Sequence, residues 1–309
     1  MSRAAIFWLV AAIVLAALPP GVSAIGQPFY IDLVRRIMIL AIAAASLNLI
    51  LGYGGLVSFG HAAYLGIGAY SVGILGVYGI TNGWLHWLVA IGASALVAAA
   101  IGAVSIRTSG VYFIMITLAF TQMLYYLGIS LEVFGGDDGM RLKARSALGI
   151  VDLANPVQFY YLCLALMLGV LLLIHRIVHS RFGMVLRAAK SNEARSRAIG
   201  FSPYPYRLAA FVIAGAICGL AGALYANHTN YITPGLMSWV QSGDLMFMVI
   251  LGGIASTAGP MLGAFALVLL EELLKGWTEY WQVILGPLLV LSVIFFKRGL
   301  AGIFGRSDA

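Results

Sequence analysis

The chain is a succession of apolar runs with almost no charge inside them, at about 4–18, 31–51, 56–80, 84–106, 110–132, 157–178, 208–226, 244–257, 260–274 and 281–296. A water-facing surface requires charge: soluble domains carry about 25% charged and about 45–50% apolar residues. Here 9% are charged and 62% hydrophobic, with a mean hydropathy of +0.99. Soluble enzyme folds and nucleic-acid-binding domains are thereby excluded, in spite of a net charge of +7. A crossing takes about 20 apolar residues, so this length accommodates roughly ten. The expected fold is an all-α polytopic membrane protein, one transmembrane domain over residues 1–309.

The N-terminus fits two descriptions. Arg3, the apolar 4–18, Pro19-Pro20 and the small residues to Ala24 match a secretory signal and equally a short first span; the polytopic remainder favours the span. Orientation follows the basic residues. Residues 180–207 carry Arg181, Arg187, Lys190, Arg195, Arg197 and Arg207 against the single acid Glu193, which places this loop in the cytoplasm, and Lys297, Arg298 and Arg306 place the C-terminus there as well. Both termini are then inside, and residues 134–156 form a periplasmic loop. With this alternation 12 of the 18 basic residues lie inside and nine of the 11 acids outside. Parity requires 244–274 to make an even number of passes. The 14-residue run 244–257 is short for a span, so 244–257 and 260–274 are expected to form a broken or re-entrant pair turning at Ala258-Gly259-Pro260. Irregular backbone at that depth is tolerated only where protein or water covers it.

Chemistry-bearing motifs are scarce. There is no phosphate-cradling G-x-x-x-x-G-K-[ST] loop, no G-x-S-x-G elbow and no H-E-x-x-H pair, so enzyme function has no support. Cys163 and Cys218 lie in apolar runs as small buried hydrophobes. His175 and His179 have helical spacing but no nearby third metal ligand.

Glycine is prominent instead. The 37 glycines concentrate in Gly52–Tyr70. Such a run serves close helix packing or a broken helix of the kind that exposes backbone to substrate. A weaker copy, Gly252-Gly-Ile-Ala-Ser, matches Gly54-Gly-Leu-Val-Ser. Polar side chains within spans are few: Asn48, Ser58, His61, Thr117, Thr121, Gln122, Ser256 and Thr257. Such groups face a bundle interior or a water-filled cavity, and Asn48, Ser58, His61, Thr121, Gln122, Ser256 and Thr257 are the candidates for a translocation pathway. The spans are expected to hold no Asp, Glu, Lys or Arg for ion coupling, which points to an energy source outside this chain.

The cytoplasmic loop contains a short helix signal. Asn192 is an N-cap with Glu193 in the first turn, and Gly200 and Pro203 follow as stops. Ala194, Ala198 and Ile199 share one apolar face, with arginines opposite. A lipid-surface helix and a plug for a groove in a cytoplasmic partner are equally open on composition.

Taken in order, Gly54-Gly-Leu-Val-Ser-Phe-Gly-His-Ala-Ala-Tyr64, Arg107-Thr-Ser-Gly-Val-Tyr-Phe-Ile-Met-Ile-Thr-Leu-Ala-Phe120, Gly135-Gly-Asp-Asp-Gly139, Arg181-Phe-Gly-Met-Val-Leu-Arg-Ala188, Asn192–Gly200 and Ile250-Leu-Gly-Gly-Ile254 resemble the permease subunit of branched-chain amino acid ABC importers, M-type above all, over about 30–305. The resemblance departs at Ser256-Thr-Ala-Gly-Pro260 and in a short C-terminus. It implies a bacterial inner-membrane importer in which a periplasmic binding protein delivers substrate to two permeases, this chain beside an H-type partner. Two cytoplasmic ATPases, which hold the ATP and magnesium, drive alternating access; this chain itself holds no cofactor, no metal and no nucleic acid. Asn192, Glu193, Ala194, Arg195, Arg197, Ile199 and Gly200 would dock on the ATPase, and Asp137 and Asp138 would lie on the binding-protein side. Related permeases serve urea, short amides or aromatic acids, so cargo is open within the resemblance. A stand-alone transporter or channel and a membrane enzyme are the readings outside it.

Overall fold

The computed structural model describes residues 13–20, 29–149, 151–295 and 299–304. The expectations for Arg3, residues 4–12 and 21–24, Lys297, Arg298, Arg306 and Asp308 lie outside the described residues. Residues 13–20 are helical (α1). Then come α2 (Phe29–Asn48), continued by a π-helical turn (Leu49–Tyr53), α3 (His61–Val77), α4 (Gly83–Ser105), α5 (Val111–Ser130), α6 (Pro156–His179), α7 (Arg181–Ser191), α8 (Glu193–Ala198), α9 (Pro203–Thr229), α10 (Trp239–Gly252), α11 (Gly259–Lys275), α12 (Trp281–Phe295) and α13 (Ala301–Phe304). Five stretches are long and apolar enough to cross a membrane: Phe29–Tyr53, α4, α5, α6 and α9; α3, α10 and Trp281–Leu291 are shorter apolar helices.

Helix starts follow the side chains available to satisfy their free N–H groups. Asn82 accepts from Trp84 and Leu85 at the head of α4, and Asn155 from Val157 and Gln158 at the head of α6 with Pro156 in the first turn. Ser180, Asn192 and Ser238 cap α7, α8 and α10 in the same way. The placement of α2 is central: 89% of its apolar window is buried against 22% for α5. It packs on α6, α9, α10 and α11, while α3, α4 and α9 form a second tight group. That group closes through small residues. A Cβ on Gly68 would strike the Gly219 carbonyl, one on Gly222 the Leu65 carbonyl and one on Gly215 the Ala98 methyl. In lipid, where apolar burial gives helices no reason to associate, such backbone contact supplies the dispersion that holds them. The outward faces of α4, α5 and α6, with Leu88, Leu96, Tyr112, Met115 and Leu172, are exposed and apolar, as lipid requires.

Residues 131–149 and 151–155 carry short elements and specific contacts rather than a plain loop. Two 3₁₀ turns (Glu132–Phe134 and Gly136–Asp138) precede β1 (Met140–Arg141), which pairs antiparallel with β2 (Tyr231–Ile232). Arg145 donates to Asn230 Oδ1 at 3.1 Å and to the Leu153 carbonyl at 2.8 Å, and Tyr231 donates to the Asp138 carbonyl.

Three expectations are corrected. The spans do hold charge: Arg35 is 4% exposed on α2, donating from Nε to His228 Nδ1 at 2.9 Å, pairing with Asp32 and lying over the Phe159 ring. Its aliphatic stem, its ring partner and Asp32 let an arginine sit among apolar neighbours. Arg36, Asp244 and Glu271 also lie within helices. The apolar run 56–80 is helical only from His61, so Ser58 lies on non-helical chain before α3. The run 244–257 leaves the helix at Gly252, and the turn occupies 253–258, with Gly259-Pro260 already inside α11. Proline has no N–H to leave unpaired in a first turn and so starts a helix readily.

Candidate functional site

Two places gather the residues singled out by the sequence. The first lies where α2 breaks. After the π turn the chain passes through Gly55, whose φ of +70° suits a residue without Cβ, and stays non-helical until His61, with Gly60 in the right-handed region as the N-cap of α3. Asn48 bridges this break to the 253–258 turn, its Nδ2 donating to the Ser256 carbonyl at 2.9 Å and its Oδ1 accepting from Ala255 N at 3.1 Å. Tyr53 OH lies 3.4 Å from Thr257 Oγ1, and Ser256 Oγ accepts from Gly259 N at the start of α11. One amide therefore satisfies both a donor and an acceptor of an irregular segment that has few helical partners of its own. Ala255 holds a φ of +59° within that segment, a conformation unfavourable for a residue with a Cβ and held by its surroundings.

Three residues beyond Gly55, Ser58 Oγ accepts from Gly60 N, and Gly60 packs against Thr117 and Thr121 of α5. His61 is fully buried, its Nε2 2.7 Å from Ser46 Oγ. Ser46 Oγ also lies 2.7 Å from the Ala43 carbonyl, to which it donates, and His61 Nδ1 has no hydrogen-bond partner among the described residues. Ser242 of α10 receives Ala62 N at the head of α3.

Of the seven pathway candidates, Asn48, Ser256 and Thr257 thus meet at the turn, and Ser58, His61 and Thr121 cluster around Gly60. Gln122 is half-buried on α5 beside Thr121. The glycine run divides at His61: Gly52, Gly55 and Gly60 serve the break, whereas Gly66 and Gly68 serve packing. Ser46, Tyr53 and Ser242 were not legible as partners, because each is one hydroxyl on an apolar helix and only the tertiary fold brings it to its mate. Lys190 is another omission. Its Nζ donates to the Gly52 carbonyl at 2.6 Å and its stem covers Gly55, though in sequence it is one more cation of a basic loop.

The second place is the loop itself. The Asn192 side chain accepts from Arg195 N at 2.9 Å and starts α8. Glu193 accepts from Arg197 at 2.6 Å and from Arg207 at 2.7 Å, while Arg207 also reaches the Ala189 carbonyl. Partial burial works to raise the Glu193 pKa, but the hydrogen bonds and charges of Arg207 and Arg197 outweigh it and hold the carboxyl below its ordinary value. Ser196 is turned inward; Ala194, Arg195, Arg197, Ala198, Ile199 and Gly200 are exposed, Ile199 at 66%. The apolar side of α8 therefore points away from its own chain, on a base fixed by Glu193 and Arg207.

Among the described residues no three His, Cys, Asp or Glu gather as metal ligands. His175 and His179 stack with ring centroids 4.1 Å apart.

Comparison with known proteins gives concordant relatives. The chain is similar to the high-affinity branched-chain amino acid transport system permease protein LivM of Escherichia coli (strain K12), 29% identical with 95% of this chain and 74% of the relative covered. A probable branched-chain amino acid transport permease protein LivM of Methanocaldococcus jannaschii is 26% identical, with 79% and 82% covered. The high-affinity branched-chain amino acid transport system permease protein LivH of Escherichia coli (strain K12) is also 26% identical, with 85% and 91% covered. No solved structure matches. The family model described as the branched-chain amino acid transport system permease component matches residues 29–293, from the start of α2 through nearly all of α12, and the chain belongs to that family of multi-pass membrane permeases.

Proposed function

We propose that this chain is the membrane-spanning subunit of an ATP-binding-cassette importer that passes leucine, isoleucine and valine from a periplasmic binding protein across the inner membrane into the cytoplasm. It works beside an H-type permease, with both termini inside, about ten membrane segments and two cytoplasmic ATPases that bind ATP and magnesium. The observation that carries the reading is α8. A six-residue helix with Ala194, Ala198 and its C-cap residue Ile199 exposed, held on an ion-paired base, suits insertion into a protein groove.

The mechanism follows from the links between α8 and the break. Movement of the ATPase pair shifts α8 and, through Glu193 and Arg207, the end of α7 and the start of α9. Lys190 passes the shift to Gly52, and Asn48 passes it to the 253–258 turn. These polar contacts would be exchanged for contacts with water and substrate as the path opens, with Ser58, His61, Thr121 and Gln122 on its wall. ATP hydrolysis belongs to the partners.

The test is reconstitution of the chain with its neighbouring permease, ATPases and binding protein in liposomes. ATP-dependent uptake of radiolabelled leucine, abolished by omitting either the binding protein or the ATPases, is the expected result. ATPase activity or uptake by the lone chain would overturn the reading.

A further inference from the structure

Arg36 on α2, Asp244 on α10 and Glu271 on α11 lie on one side of the bundle, below its outer rim. Trp239 at the head of α10, and Trp277 and Tyr280 beyond α11, are exposed, as aromatic residues at a membrane–water interface are. Asp244 is five residues past Trp239, roughly 8 Å deeper at the rise of a helix, and Arg36 is seven residues into α2, roughly 10 Å. Arginine and glutamate can reach back toward the interface along their stems, but aspartate has no stem to do so.

These groups are incompletely paired. The Arg36 guanidinium stands 3.9 Å from Glu271, beyond hydrogen-bond distance, and its Nε is buried without a hydrogen-bond partner among the described residues. The facing Glu271 oxygen is already held by Lys275 at 2.6 Å. Asp244 is half-buried, makes no hydrogen bond or ion pair among the described residues, and feels both Glu271 and Arg36. A carboxylate in that state cannot face hydrocarbon, since charge at such depth requires water or a matching group. One turn to either side of Asp244 on the same helix face, Val240 and Phe247 are exposed.

We propose that this face is part of the wall of the translocation path and that it receives the head of an α-amino acid, the carboxylate on Arg36 and the ammonium on Asp244. An amino acid carries both charges on one carbon, so it completes the free guanidinium edge and the unpaired carboxylate together and adds no net charge to the site. Its aliphatic side chain then lies on Val240 and Phe247. The proposal rests on the transport reading above and gives it a substrate contact.

The test uses the assembled importer in liposomes. In the first arm, Asp244→Cys is treated from outside with a membrane-impermeant thiol reagent, with Leu96→Cys and Leu172→Cys as lipid-facing controls; the native Cys163 and Cys218 are buried. Asp244→Cys is expected to react at least about tenfold faster than either control and to be slowed when leucine-loaded binding protein and ATP drive turnover. In the second arm, Asp244→Asn and Arg36→Gln are each expected to raise the KM for leucine about tenfold or more, the size of one lost charged contact, while Asp244→Glu and Arg36→Lys recover part of it. Reaction as slow as the controls, or a wild-type KM in both neutral variants, would overturn the proposal. Failure of the wild-type importer to take up leucine, isoleucine or valine would instead overturn the transport reading, and the thiol arm would still decide whether the face is aqueous.

Discussion

Lys190 of the cytoplasmic loop donates from Nζ to the backbone carbonyl of Gly52 at 2.6 Å, and this bond ties the end of α7 to the point where α2 gives up its regular geometry. The carbonyls at a helix end are negatively polarised and short of donors, so the ammonium satisfies one of them while its stem lies across Gly55. Lys190→Met keeps the stem and removes the donor. Because the bond is only part-buried, the loss to stability is about 1 kcal/mol, but the mechanical link is broken. Leucine uptake per ATP hydrolysed is expected to fall several-fold in the reconstituted importer while stimulated ATPase activity remains, with Lys190→Arg close to wild type. An unchanged ratio would remove Lys190 from the coupling route.

Asn48 is the counterpart on the opposite side of the break. Asn48→Ala leaves Ala255 N and the Ser256 carbonyl without their partners in a buried site, at a cost of about 2–4 kcal/mol for two groups. A clear drop in the melting temperature of the detergent-solubilised protein is expected, read by intrinsic fluorescence. Asn48→Asp restores the acceptor for Ala255 N but sets a charge against the Ser256 carbonyl, and is expected to be no better than alanine.

The packing reading of the glycines is tested by a pair of single methyl groups. In Gly222→Ala the added Cβ meets the Leu65 carbonyl between α9 and α3, whereas in Gly92→Ala it meets open space on α4. The first forces two central helices apart, at about 1–3 kcal/mol; the second removes backbone freedom from the unfolded chain and gains about 0.5–1 kcal/mol. Opposite signs in thermal unfolding are the expected result, and equal shifts would mean that close approach at Gly222 is not what holds the pair.

The sequence carried the architecture further than the connections. Charge scarcity and the runs of apolar residues mark the boundaries of α4, α5 and α6 to within one or two residues, because these depend on local composition, whereas α9 begins five residues before its apolar run, at Pro203. The short helix α8 was legible for the same reason, through Asn192, Glu193 and Gly200. Ser256 and Thr257 stood out as polar, yet nothing local shows that both face α2, 200 residues earlier, since that contact depends on how α10 and α11 fold back. Arg35 and Asp244 were overlooked because each lies near the end of an apolar run, where a charge is read as a loop residue. Their burial becomes visible only when the neighbouring helices are in place.

Glu193 gives the last prediction, and its sign follows from its position. Its carboxyl is held below the ordinary value by Arg207 and Arg197, so the ion pairs contribute to the folded loop above the pKa of an unfolded glutamate, about 4.3. That contribution is lost as pH falls through the lower pKa of the folded form. The loop is therefore expected to keep its protection from pH 7 down to about 4.3 and to loosen at α8 only as the pH is lowered further. Backbone hydrogen exchange at Ser196–Gly200, corrected for the intrinsic pH dependence, is expected to lose protection across that window. Glu193→Gln keeps an acceptor for one arginine but not the charge, so the same amides are expected to exchange faster at neutral pH and to show no further change on acidification. A variant that keeps the wild-type pH profile would show that α8 is held by Asn192 and Ser196 alone and that the Glu193 ion pairs do not fix its base.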